Sequence, residues 1–195
     1  MINRNQILEK NAKEQLKQLF YSITNVEIAY IDKLVDLFHL EHFSKNSIVI
    51  DEGEIASNFY FIYKGIIKIY YHKNDKIVIE RFEKEDGFIG GNFSHLTQKP
   101  GTHIYETLED AILLKVNYQE LNELCKQFHQ VEHIYRVMME SFHANYVARL
   151  TTLKAAVSEE RYHNFMADYG DIANRVSLKD IANYLDMTSE TISRI

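Results

Sequence analysis

The sequence predicts an α+β protein in which helices flank an antiparallel β-barrel or jelly roll. Three observations carry this expectation. Apolar residues recur at helical spacing up to Leu40 and again after Gln119. Between His42 and Val116 the period drops to two. From Val176 to Ile195 two complete helix-start signals follow one another across a tight turn.

The first region, Asn5 to Leu40, reads as helical, with Leu16, Leu19 and Phe20 and later Ile31, Leu34, Val35 and Phe38 on the apolar side. In the second, the stretches Ser47–Asp51, Asn58–Tyr63, Ile66–Tyr71, Ile77–Phe82 and Ala111–Val116 are rich in Ile, Val, Tyr and Phe. Gly53, Gly65, Gly87 and the pair Asn74-Asp75 punctuate them. Many short strands with turns at such spacing make an antiparallel barrel or jelly roll. Its aromatics (Phe59, Tyr60, Phe61, Tyr63, Tyr70, Tyr71, Phe82, Phe88 and Phe93) are expected as core, with the lining of an effector pocket as the alternative.

From Gln119 to Ala155 no Gly or Pro interrupts the helical period, a length that requires a partner surface. Val131, Ile134, Met138, Ser141, Asn145 and Ala148 fall close to a 3.5-residue repeat. The segment 126–153 is therefore expected to pair with its twofold copy. A helix lying on the barrel is the other arrangement that this periodicity permits.

The C-terminal signals are the sharpest. Ser177 and Asp180 form an S-x-x-D capping box, and Val176 and Ile181 are spaced as a hydrophobic staple. Ile181, Ala182 and Leu185 form one stripe, and Asp186 tolerates the turn that follows. Thr188 is the next N-cap, and Met187 and Ile192 repeat the staple. Ile192 and Ile195 are expected to face inward, with Ser189, Glu190, Ser193 and Arg194 on the opposite face and Glu190 orienting Arg194. Such a face suits DNA: arginine donates twice to guanine O6 and N7, and glutamate accepts from cytosine N4. The plainer interpretation is a surface ion pair, worth a few tenths of a kcal/mol (~0.3).

Composition sets the limits. The chain has 195 residues, 46% apolar and 26% charged, with a net charge of −6. No run is long and apolar enough for a membrane span, and the N-terminus lacks a signal-peptide core, so a cytoplasmic location is expected. One cysteine, Cys125, excludes an internal disulfide and a cysteine-rich metal or cluster site. From Thr151 onward five bases stand against seven acids, leaving −2, although phosphate contacts usually come from a basic surface. The sequence stops in mid-helix at Ile195, so the natural chain is expected to continue.

Barrel, long helix and helix pair together resemble the cAMP-receptor and fumarate–nitrate-reduction regulator (Crp/Fnr) family of bacterial transcription factors. The resemblance covers nearly the whole chain. It is carried by Ile50–Tyr70, with Gly53 and Gly65 at the family's barrel turns, by Asp86–Ser94, similar to the phosphate-binding cassette entry, and by Thr188–Arg194, similar to the recognition helix. It implies a cyclic-nucleotide-binding-like barrel (1–125), a dimerisation helix (126–153) and a helix-turn-helix domain (154–195), here a truncated winged helix. It also implies a homodimer on palindromic double-stranded DNA and RNA polymerase as a further partner. Glu190, Ser193 and Arg194 match base-contacting residues of the oxygen-responsive branch, implying a half-site like T-T-G-A; Ser189 stands where the cAMP-responsive branch has arginine. Thr188 and Lys179 complete the expected DNA contacts.

The same resemblance argues against cAMP. The cassette glutamate position is Gly91 and the phosphate-pairing arginine position is about Gly101, with only Thr102 retained. A buried phosphate without a cation is costly. Gly90, Gly91, Thr102 and His103 remain the candidate effector pocket, and a different anion is left open by Lys99 and His103. Haem and an iron–sulfur cluster lack ligands.

His129, Glu132 and His133 match the H-x-x-E-H zinc pattern, but no third ligand accompanies them, and solvated surface histidines are the expected reading. No catalytic triad or P-loop is present. The sequence thus points to a non-enzymatic DNA-binding regulator, the alternative being a small-molecule receptor module whose C-terminal helices dock a protein.

Overall fold

The computed structural model of the chain describes residues 4–155 and 158–195. Two helices open it, α1 (Arg4–Ile23) and α2 (Ile28–Asp36). The single helical region expected to reach Leu40 is thus broken. Thr24 folds its hydroxyl back onto the Phe20 carbonyl at 2.9 Å, the local competition by which short polar side chains end helices.

Eight strands follow: β1 (His39–Phe43), β2 (Ile48–Ile50), β3 (Asn58–Lys64), β4 (Ile67–Lys73), β5 (Lys76–Glu83), β6 (Phe88–Ile89), β7 (Ile104–Thr107) and β8 (Ala111–Asn117). A short helix, α3 (Asn92–Thr97), sits between β6 and β7. The strands form two antiparallel sheets, β1-β8-β3-β6 and β2-β7-β4-β5, rather than a closed barrel. The double-sheet jelly roll is the form of the expectation that holds. Asn74 and Asp75, both at positive φ, make the tight β4–β5 hairpin.

The long helical region is also divided. Phe128 is extended (φ −134°) between α4 (Tyr118–Gln127) and α5 (His129–Ala155). The C-terminal part comprises α6 (Ser158–Tyr169), α7 (Leu178–Tyr184) and α8 (Ser189–Arg194). No helix among the described residues is long and apolar enough to cross a membrane.

Two cores explain this arrangement. The first joins α1 and α2 to the sandwich interior: Leu16, Phe20 and Ile31 pack with Phe59, Phe61, Ile69 and Phe88. It also takes in Val131, Ile134 and Met138 of α5. The second lies against the other face of the second sheet, where Ile66, Tyr70, Ile79 and Phe82 meet Phe165, Ile172, Val176, Ile181, Leu185 and Ile192. Burial on both faces is why Ile66 to Tyr70 are all buried, Lys68 included. The aromatics expected as core are mostly that: Phe59, Tyr60, Phe61, Tyr70, Phe82 and Phe88 are all buried, whereas Phe93 is 60% exposed.

Candidate nucleic-acid interface and sensor cleft

Both helix starts at the C-terminus form as local chemistry requires. The Ser177 hydroxyl accepts from the Asp180 amide at 3.1 Å and donates to the Asp180 carboxylate at 2.8 Å. Val176 and Ile181 are buried beside it. Asp186 takes a positive φ of 53° in the turn, where the Met187 amide donates back to the Ala182 carbonyl at 2.9 Å. Thr188 then accepts from the Thr191 amide at 3.2 Å.

Ile192 points inward, 5% exposed, but Ile195 is 45% exposed and does not, because the helix ends at Arg194. On the other side Thr188, Glu190, Ser193 and Arg194 are exposed and Ser189 is half-buried. Lys179 is exposed on α7. The expected Glu190–Arg194 pair is not formed. Glu190 instead hydrogen-bonds its own backbone amide and the Thr188 side chain, which hold its carboxyl below the usual range. Its charge is spent on the helix N-terminus, leaving Arg194 to point into solvent.

The cleft of the sandwich lies beside α3 and is lined by Asp51, Glu54, Gly91, Ser94, Thr102 and His103, with Tyr105 behind them. Its free volume is about 30 Å³, room for a water molecule. Three of the four candidate pocket residues line it. Gly90 does not: its carbonyl accepts from the Tyr118 hydroxyl at 2.8 Å, and a Cβ there would press on the Phe59 ring at 2.5 Å. Gly91 has φ +54° and leaves only 2.7 Å between a built Cβ and Ala56, so a larger residue cannot sit there without backbone movement. Ser94 ties the turn together, donating to the Gly91 carbonyl at 3.0 Å and accepting from the Ala56 amide at 3.1 Å.

His103 is held by Glu80 at 2.5 Å, and Arg81 by Glu80 and Glu83 at 2.7 and 2.8 Å. Asp51, Glu54 and Ser94 lie inside the family-like stretches Ile50–Tyr70 and Asp86–Ser94, but nothing in those stretches singled them out as pocket residues. Only the chain reversal at Gly53, whose amide donates to the Gly101 carbonyl at 2.8 Å, brings Asp51 and Glu54 to this end of the sheet.

Comparison with known proteins places this geometry. The cyclic nucleotide-binding domain family matches residues 40–128. Regulatory protein HlyX of Actinobacillus pleuropneumoniae is 23% identical over 187 residues, covering 90% of this chain and 76% of that protein. Among solved structures, the c-di-GMP responsive global regulator CLP of Xanthomonas campestris superposes with a TM-score of 0.67 at 15% identity, covering 86% of this chain and 89% of that one. FixK2 of Bradyrhizobium japonicum gives 0.67 at 20% identity, covering 80% and 81%. Residues 40–128 thus form a cyclic nucleotide-binding domain, and the chain as a whole is similar in fold to regulators of the Crp/Fnr type.

Against the nucleotide site expected of a cyclic nucleotide-binding domain, the residues present do not fit. The lining side chains offer carboxylates where a phosphate needs a cation. His103, the one basic side chain in the lining, is already paired with Glu80. The free volume is about a tenth of that of an ordinary small-molecule pocket, roughly 300 Å³ or more.

The expected dimer stripe divides in two. Ile134 (0% exposed) and Met138 (4% exposed) are buried in this chain's own first core and are not available to a second copy. This is the helix-on-barrel arrangement for the first three turns of α5. Ser141 and Asn145 are exposed, together with Tyr146 (49%) and Val147 (47%). Ala148 lies outside the described residues as far as its side chain is concerned. His129, Glu132 and His133 are exposed, with His133 Nδ1 2.9 Å from the Arg136 guanidinium. No group of three ligating side chains among the described residues could hold a metal.

Proposed function

We propose that the chain is a homodimeric, sequence-specific DNA-binding transcription regulator whose sandwich takes no cyclic nucleotide. One observation carries this reading: α7 and α8 are each fixed by a side-chain cap and bury one apolar face, while Glu190, Ser193 and Arg194 are exposed on the opposite face. That is the geometry by which a recognition helix enters a major groove. The regulatory names of its relatives support the reading. The exposed side chains Ser141, Asn145, Tyr146 and Val147 of α5 mark the surface on which two copies meet, and a twofold dimer pairs with a palindromic site. The cytoplasm and RNA polymerase follow as its setting and its partner.

Selecting bound duplexes from a random oligonucleotide pool tests this. The expected result is an enriched palindrome with two half-sites about one helical turn apart (roughly 34 Å). An unenriched pool at low salt, where phosphate attraction is strongest, overturns the reading.

A further inference from the structure

The C-terminal helices are attached to the sandwich by groups that read backbone register and charge as well as apolar area. Strand β5 is the outer edge of the second sheet, so its outward amides have no neighbouring strand. Asn183, at the end of α7, supplies one. Its Nδ2 donates to the Ile77 carbonyl at 2.7 Å and its Oδ1 accepts from the Ile79 amide at 2.7 Å. A primary amide presents the same acceptor–donor pair as a strand backbone, and residues 77 and 79 are the i, i+2 positions that face one edge. A shift of α7 by one residue along β5 would lose both bonds.

Arg175, in the α6–α7 connection, fixes the other end. It forks onto Glu85 at 2.7 and 3.1 Å and also donates to Glu109. Glu85 is itself anchored, accepting from the Gly65 amide at 2.8 Å. Between these points Lys68 lies 3.2 Å from Glu106 and 4.0 Å from Asp180. Phe82 inserts among Phe165, Tyr169 and Tyr184. None of these contacts uses Glu190, Ser193 or Arg194, so the docking leaves that face open while fixing where it points.

We infer that Asn183 and Arg175 are positioning residues for DNA reading: by locking α7 to β5 and to Glu85 and Glu109, they set the direction in which α8 projects, and hence the distance between the two reading helices of a dimer. This rests on the DNA-reading function proposed above. Its consequence is sharp discrimination between operators that differ only in half-site spacing, since a rigid pair of heads matches one separation and a loosely held pair matches several at lower affinity.

The test uses the full chain with Asn183→Ala and, separately, Arg175→Gln, an exposed change that leaves both cores intact. Exchange of the Ile79 amide is measured without DNA, and binding is measured on palindromes whose half-sites are moved apart one base pair at a time. Expected are exchange roughly tenfold faster in Asn183→Ala, as loss of a hydrogen bond implies, a flattened spacing profile in both variants, and unchanged binding to an isolated half-site. Arg175→Lys, which keeps the charge but not the fork, should be intermediate. Variants that keep the wild-type spacing profile, or an Ile79 amide whose exchange does not change, would overturn this inference alone. A wild-type chain that selects no duplex overturns the DNA reading and this inference with it.

Discussion

On the proposed DNA-reading function, Arg194 is the residue on which sequence discrimination turns. Glu190 lies one helical turn away, yet its carboxylate is engaged by Thr188 and its own amide, so the Arg194 guanidinium need not break an ion pair to reach a base. Arg175, by contrast, is held by two carboxylates. Arg194→Ala should therefore cost about 1–3 kcal/mol of specific binding and relax the choice at one base pair. It should leave the unfolding temperature unchanged, because the side chain is exposed. Titrating wild type and variant against single-substitution operators measures this; equal preference profiles would remove Arg194 as a reader. At this scale the caps were legible in the sequence because Ser177, Asp180 and Thr188 act over three residues of chain. The partner of Glu190 was not, since two acceptable geometries lie within one turn and only placed atoms choose between them.

At the scale of elements, α5 was the least legible. A 3.5-residue repeat states that one face is apolar without stating what covers it. Here α1, α2 and the sandwich cover Val131, Ile134 and Met138, and Phe142 reaches Phe59 and Phe88 at ring distances of 6.4 and 5.7 Å. The break at Phe128 was hidden for a similar reason: its ring packs on Tyr30 at 5.8 Å, a tertiary contact that outweighs a helix-compatible local sequence. Strands β1, β6 and β7 escaped the sequence reading: β6 is only two residues long, β7 four, and β1 begins inside the stretch read as helical up to Leu40. Ile134→Ala should destabilise the chain by about 2–5 kcal/mol, the range for emptying a close-packed core site. Asn145→Ala, on the exposed side, should change stability by less than about 0.5 kcal/mol. Denaturant unfolding of the two variants separates these cases; similar effects would mean that Ile134 is not core.

Across the whole molecule, two compact parts are held together by charge at the edge of an apolar contact, and this makes the docking sensitive to acid. Lys84 bonds Asp171 at 2.6 Å and holds its carboxyl below the ordinary 3.8. Burial pushes the Glu85 carboxyl up, but Arg175 and the Gly65 amide outweigh it and leave it below 4.5. A carboxyl lowered by folding stabilises the folded state above its unfolded value and loses that contribution as pH falls through the lowered one. The C-terminal helices, joined to the second sheet through these pairs, should therefore loosen from it as pH drops below about 4.5. Amide exchange followed at Ile79 and at Phe61 should diverge over that interval, and parallel loss at both would mean that the two parts open as one.

The last consequence concerns assembly. Beyond Met138, α5 carries Tyr146 and Val147 at about half exposure, adjacent apolar side chains that a second copy could cover. A twofold contact along this helix places each side chain against its own copy or a near neighbour, so one charge enters the interface twice. Tyr146→Glu should shift the chain from dimer to monomer in sedimentation while leaving the Ile134 core and the monomer's unfolding unaffected. It should also weaken binding to a palindrome far more than to a single half-site, because two linked heads gain effective concentration that separate heads lack. A variant that remains dimeric would move the interface away from α5, and with it the axis that sets the operator's symmetry.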